Sequence, residues 1–300
     1  MSSALLDLSN SFADAVAQAG RSVVSVHEGG RSGVSGTLWR DGLVVTAEHT
    51  IRGHQEVTVG LPSGETAQAA VVGRDSTTDV ALLRLKDAQK TQIATADAAQ
   101  LQVGHFVLAV GRRAQHGVVA SHGIISALGP AWRTWRGGRI DHWFRLDLVP
   151  FTSFSGGPLV DASGRVIGIN TSGPRRAVVT IPASTVNRVV DQLLVKGRIV
   201  RGYVGVGLQP VQLPAGSGAS EGKTPGRGLV VVMIEPGAPA DRAGLTIGDI
   251  VVDIAGEPVS DPRDLQAVLD PEHVGKPLSL RILRGGQARE VSLIVGERPE

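Results

Sequence analysis

The sequence predicts a mostly β protein: two small antiparallel barrels in succession, then a smaller module of strands and short helices. Three observations predict it. Short apolar runs separated by turn residues fill 22–85 and recur over 106–181, which is the signature of many short strands. Helical periodicity in those two stretches' surroundings is confined to 5–16 and 183–196. After Gly197 the composition changes, with a loop rich in Gly, Pro and Ser over 213–228. Three hundred residues with 42% hydrophobic content suit about two domains of ordinary size, and the boundary is placed between 198 and 199.

The elements follow in chain order. Leu5, Leu8, Phe12 and Val16 fall at helical spacing and Gly20 is a stop, so a short amphipathic helix is expected to pack against the first barrel. The runs 23–26, 36–39, 43–46, 56–61, 67–72 and 80–85 supply six strands. A second set comes from 106–110, 123–128, 143–148, 158–160, 166–171 and 177–181. Residues 183–196, with Val186, Val189, Val190, Leu193 and Leu194 on one face, form the helix that closes this domain. Beyond it, a strand is expected at 229–234. Asp261-Pro262-Arg263-Asp264 reads as a helix start: an N-cap, Pro at the first position and an acid in the first turn.

Composition limits the function. With 30 Lys+Arg against 28 Asp+Glu, a net charge of +2 gives no warrant for a nucleic-acid partner. The segment from Trp132 to Arg139, followed by Trp143-Phe144-Arg145, alternates rings with arginines as single-strand binders do. A hairpin turning at Gly137-Gly138, its rings packed on the barrel or on a neighbouring subunit, accounts for it more simply. There is no cysteine, hence no disulfide or thiol nucleophile. His27, His54, His105, His116, His122, His142 and His273 have no metal-ligand spacing, and no cofactor is expected. No run approaches the ~20 apolar residues of a membrane span. The start of the chain has no secretory signal, which as written implies the cytoplasm.

The chemistry centres on Ser153-Phe154-Ser155-Gly156-Gly157-Pro158-Leu159-Val160, a serine on a glycine-rich turn running into an apolar strand. A serine hydroxyl needs a base and a carboxylate to orient that base. His49 ends the run Leu43-Val44-Val45-Thr46-Ala47-Glu48-His49, and Asp79 precedes Val80-Ala81-Leu82-Leu83. Each sits where a strand meets a loop, in the order His, Asp, Ser.

These segments, together with Val166-Ile167-Gly168-Ile169-Asn170-Thr171, resemble the trypsin-like proteases of the HtrA (Deg) family over nearly the whole chain. The resemblance implies a chymotrypsin-like double β-barrel with the triad His49, Asp79 and Ser155 between its halves. It implies an oxyanion hole from the backbone N–H groups of Ser153 and Ser155, and an S1 pocket based on Val149, which favours small or medium aliphatic P1 residues. Arg175 and Arg176, in the loop before the strand at 177, read as a solvated turn, with a preference for acidic substrate groups as the alternative. Residues 199–300 resemble a PDZ domain of the HtrA type, in which Gly202, Tyr203, Val204, Gly205 and Val206 receive a peptide's terminal carboxylate. Glycines let successive N–H groups converge on an anion while the strand edge pairs with the peptide. The family further implies unfolded protein substrates, a homo-oligomer (a trimer) and export to the periplasm.

Three departures bear on activity. Ser153 stands where the family has glycine and Phe154 where it has Asn or Asp, so the oxyanion hole is expected to be unformed at rest or formed only under strain. Pro130 follows Gly129 where the family has an arginine that relays PDZ-ligand binding, leaving Arg133 or Arg136 for any relay. The expected function is therefore serine endopeptidase. The competing reading is a catalytically silent peptide-binding or chaperone-like protein with a disabled hole.

Overall fold

The computed structural model describes residues 3–298 apart from 28–32, 88, 91–92, 115, 135, 152, 174–177 and 215–225. Trp135, Arg175, Arg176 and most of the 213–228 loop thus lie outside the described residues. The chain divides into two compact units, Met1–Ile199 and Val200–Glu300.

In the first unit, helix α1 (Ala4–Gly20) precedes strands β1 (Val23–His27), β2 (Val34–Arg40), β3 (Leu43–Ala47), β4 (Glu56–Gly60), β5 (Thr66–Asp75) and β6 (Val80–Leu85). They close a barrel in the order β1-β2-β3-β6-β5-β4, with β4 paired back to β1. β3 is buried along its whole length. Its period of two explains why: Val44 joins Ala81 and Leu83 inside the barrel, while Leu43 and Val45 join Val80 and Leu82 in a second apolar cluster outside it. A strand buried on both faces reads as a continuous apolar run.

The next strands are β7 (Phe106–Arg113), β8 (Gly117–Gly129), β9 (Trp132–Arg133), β10 (Arg139–Ile140), β11 (Trp143–Leu148), β12 (Pro158–Asp161), β13 (Val166–Ser172) and β14 (Val178–Pro182). Six of them form a sheet in the order β11-β8-β7-β12-β13-β14, whose end strands β11 and β14 come together without a hydrogen-bonded ladder. Leu108, Val110, Val160 and Ile169 of this sheet meet Val45, Val80 and Leu82 of the barrel in one cluster, which joins the two halves. β9 and β10 pair as a short separate hairpin, Arg139 opposite Arg133. Helix α2 (Ala183–Lys196) ends on Gly197 in the left-handed conformation, and is pinned to β2 by Trp39 Nε1–H···Oδ1 Asn187 at 2.8 Å and Arg40···Asp191 at 2.7 Å.

The packing of α1 corrects the expectation. It docks on the second sheet, with Phe12 edge-on to Phe106 at 5.4 Å and its C-terminal end against Val118, rather than on the first barrel. The physical reason is that its buried face is the small pair Ala15 and Ala19, which allows close approach, while Leu5 is 77% exposed.

In the second unit, β15 (Gly202–Tyr203), β16 (Val206–Leu213), β17 (Gly226–Ile234), helix α3 (Pro239–Arg242), β18 (Ile250–Ile254), β19 (Glu257–Pro258), helix α4 (Pro262–Ala267), β20 (Pro277–Arg284), β21 (Gln287–Ile294) and β22 (Gly296–Glu297) follow in turn. The sheet order is β16-β17-β18-β20-β21, so β16 is an edge strand; β15 pairs with β22. Its own core includes Leu229, Val251, Leu280, Ile282 and Leu293. Asp261 caps α4 in a full capping box with Asp264. The β20–β21 hairpin, which the sequence reading did not reach, turns on Gly285-Gly286, both at positive φ as a two-residue hairpin loop requires.

Candidate active site

His49 sits in a single helical turn, Glu48–Thr50, directly after β3. Its Nδ1 lies 2.7 Å from Asp79 Oδ2, and its backbone N–H donates to Asp79 Oδ1 at 2.8 Å. Asp79 ends the turn between β5 and β6 at φ 60°, a conformation costly for a non-glycine residue. That turn is held from within: the buried Asp75 carboxylate accepts the Thr77 N–H at 3.0 Å, the Thr77 hydroxyl, and the Thr78 hydroxyl at 2.7 Å. From outside, the β9–β10 hairpin covers it, with Thr134 Oγ1 donating to the Thr77 carbonyl at 2.8 Å and Arg136 to that of Ser76 at 3.2 Å. Arg133 bonds the Gly137 carbonyl at 3.0 Å within its own hairpin.

Burial alone pushes the Asp79 carboxyl up, but hydrogen bonds from His49 and Thr171 outweigh it and hold the group below the usual carboxylate value. An ionised Asp79 only accepts, so His49 Nδ1 carries the proton and Nε2 presents a lone pair. That is the tautomer a general base needs. Thr171 Oγ1, donating to Asp79 Oδ2, is a site residue that sequence reasoning gave no role. It was visible only as part of the Ile169-Asn170-Thr171 segment, because no local pattern links it to a carboxylate 92 positions earlier.

Ser155 lies in the turn before β12, 6% exposed. Ser153 stands where glycine is expected, yet it takes φ 76°, and Gly156 takes φ 83°. The turn is stitched to two strands. Gly156 N–H donates to the Asn170 carbonyl at 2.8 Å and Asn170 N–H to that of Gly157 at 2.9 Å. From β2, Ser35 N–H donates to the Ser155 carbonyl at 3.0 Å and Thr37 Oγ1 to that of Gly156 at 3.0 Å. Phe154 meets Phe151 edge-on at 6.3 Å, so the substituted position is an apolar contact. The Ser155 hydroxyl faces Ser172 Oγ at 3.3 Å. Among the described residues no hydrogen bond joins it to His49, a bond that in resting proteases often forms only with substrate present. Val149 is 76% exposed just past β11, on the surface rather than enclosed. Among the described residues no cluster of ligating side chains is arranged to hold a metal ion.

In the second unit, Gly205 has φ 76° and Ala240 N–H donates to the Val204 carbonyl at 2.9 Å. Among the described residues the N–H groups of Val204 and Gly205 have no backbone acceptor. They lie at the start of the open edge of β16.

Comparison with known proteins identifies both domains. Residues 34–169 match the trypsin-like peptidase domain and 202–295 the PDZ domain. A probable periplasmic serine endoprotease DegP-like of Rhizobium meliloti is 36% identical over 269 residues, covering 87% of this chain and 52% of the relative. The chain belongs to the HtrA family. A probable periplasmic serine protease do/HhoA-like of Haemophilus influenzae is 32% identical over 84% of this HtrA-type chain and 55% of its own length. The chain thus spans about half the length of the curated relatives it matches. Among solved structures, the HtrA-type protease AlgW with a decapeptide superposes with TM-score 0.78 at 26% identity, covering 96% of this chain and 99% of the other. The serine endoprotease from Yersinia pestis gives TM-score 0.75 at 26% identity, covering 96% and 98%.

Proposed function

We propose that this chain is a serine endopeptidase that cleaves unfolded or misfolded polypeptides by Ser–His–Asp acyl transfer. The observation that carries the reading is the His49–Asp79 pair, whose ionised carboxylate fixes the tautomer of the base. In the reaction His49 Nε2 takes the Ser155 proton as Oγ attacks the peptide carbonyl, and Asp79 stabilises the imidazolium. His49 then protonates the leaving amine, and water releases the acyl group by the same route. The Ser153 and Ser155 N–H groups receive the oxyanion.

The second unit binds C-terminal peptides, the carboxylate lying against the Val204 and Gly205 amides of the 202–206 loop, whose Gly202 N–H instead donates to the Leu269 carbonyl at 3.0 Å, and the strand adding to β16; this binding regulates cleavage. The similar HtrA-type protease AlgW is seen with a decapeptide, which supports peptide binding. A trimer in the periplasm completes the proposal; the relatives are periplasmic by name. A fluorophosphonate probe tests the core of it: the chain labels and digests casein, and Ser155→Ala loses about 10⁶ in turnover without losing its fold. An unlabelled wild type, or a variant retaining a tenth of the activity, leaves the silent peptide-binding reading in its place.

A further inference from the structure

Ser35, fully buried in β2, places three of its polar groups on the nucleophile turn and its supports. Its N–H donates to the Ser155 carbonyl at 3.0 Å. Its hydroxyl donates to the Ser153 carbonyl at 2.6 Å and accepts the Arg112 N–H at 2.9 Å. Its own carbonyl accepts Thr46 Oγ1 at 2.8 Å, which anchors the strand beneath.

We propose that Ser35 is a positioning residue for the oxyanion hole: its hydroxyl anchors the Ser153 carbonyl and so holds Ser153 at φ 76°, a conformation serine rarely takes unaided. The inference rests on reading Ser155 as the nucleophile. The direction of the bond is forced, because the Arg112 N–H can only donate; the Ser35 oxygen accepts there and its one proton is left for the Ser153 carbonyl. With that carbonyl fixed, φ at 153 decides where the Ser153 N–H points. Glycine would reach this φ without help. A serine needs a partner on the far side of the turn, and Ser35 is that partner, 118 positions away in sequence.

The neighbourhood is built for a side chain of this size. A Cβ on Gly111 would lie 2.8 Å from Ser35 Oγ, and one on Gly157 3.3 Å from Ser35 Cβ, so the two glycines are what let the hydroxyl in. Ser35→Ala removes one oxygen and adds no bulk. It leaves the Ser153 carbonyl and the Arg112 N–H without that buried bond, and the turn is then released from positive φ.

The test is a cycle of four full-length proteins, wild type, Ser35→Ala, Ser153→Gly and the double variant, assayed for kcat and KM on casein with thermal unfolding as the fold control. Ser35→Ala should lower kcat by about 10²-fold, the scale of losing one oxyanion donor, with KM within about twofold, the pattern of a transition-state interaction. In the Ser153→Gly background the same substitution should change kcat by less than about threefold, since glycine needs no anchor. Equal losses in both backgrounds, no loss in either, or loss of fold in both Ser35→Ala proteins overturns the proposal. Should wild type and Ser153→Gly both fail to digest casein and to label with fluorophosphonate, the protease reading itself falls and takes this inference with it. A labelled, active wild type beside an unaffected Ser35→Ala sinks the positioning role alone.

Discussion

The backbone takes φ 76° at both Ser153 and Gly205, one in the turn before Ser155 and the other in the 202–206 loop, and the two positions are held by opposite means. Around Ser153 the turn is tied on several sides, by Ser35, Thr37 and Asn170. Around Gly205 the ties run through carbonyls, with Glu235 N–H on the Gly205 carbonyl at 2.9 Å, while among the described residues the Val204 and Gly205 N–H groups have no backbone acceptor. The difference teaches what each residue type brings. Glycine lets a loop keep its donors for a ligand, whereas serine in the same conformation requires bonds from the surrounding fold.

The largest test of the comparison is Gly156→Ala. A Cβ there would sit 2.0 Å from the Ser35 carbonyl oxygen, at φ 83°, in a turn tied to both β2 and β13. No flexible side chain can yield, so the turn itself must move. Displacing a nucleophile by about 1 Å costs on the order of 10²-fold, and the casein rate should fall at least that far. A variant within threefold of wild type would show that the ties around Ser155 are looser than their distances imply.

Gly205→Ala probes the other side. Its Cβ would meet Ala238 Cβ at 2.2 Å, again at positive φ. Strain of roughly 1 to 3 kcal/mol corresponds to about 5- to 150-fold in affinity for a peptide ending in a free apolar carboxylate. Calorimetry on the Ser155→Ala protein, which cannot digest its ligand, reads this directly. Amidating the peptide should weaken binding as well, since it removes the anion on which the open N–H groups converge. Equal affinity for acid and amide would exclude the loop as a carboxylate site.

What the sequence made legible, and what it hid, follows the range of the interactions. Val186, Val189, Val190 and Leu193 announce α2 because helical periodicity is local, and Gly197 ends it as a left-handed cap. β3 and β6 are legible as apolar runs because both of their faces are covered. The docking of α1 is not legible from its four apolar positions: Leu5 and Leu8 are exposed, Phe12 and Val16 pack only partly buried, and the closest approach is made by the small Ala15 and Ala19. β8 begins at Gly117, earlier than the apolar run at 123, because its first residues pair with β7 through backbone bonds whatever their polarity. His49, Asp79 and Ser155 stood out as residue types at strand ends. Ser35 and Thr171 did not, because a serine or threonine in a strand carries no mark of the distant carbonyl or carboxylate it will meet.

The smallest effect separates two carboxylates. Asp79 and Asp249 are both pushed up by burial and brought below the usual value by hydrogen bonds, but their partners differ. Asp79 leans on His49 and Thr171. Asp249, 1% exposed, takes a two-pronged bond from Arg284 at 2.7 and 2.6 Å and the Thr246 N–H at 2.8 Å, while Arg284 also reaches the Gly244 carbonyl at 2.7 Å. Arg284 keeps its charge throughout the accessible range, so only protonation of Asp249 breaks the pair. A carboxylate whose folded pKa is depressed stabilises the fold above its unfolded value of 3.8, and that contribution is lost as pH falls through the lower folded pKa. The second unit should therefore resist urea less well as pH drops from about 5 toward about 2. Tyr203, the only tyrosine, reports on this unit alone, since all four tryptophans, at 39, 132, 135 and 143, lie in the first. Asp249→Asn should lower the midpoint at neutral pH and flatten its acid dependence, because the variant has no charge left to lose. An acid slope as steep in Asp249→Asn as in wild type would place the responsible group elsewhere in the unit.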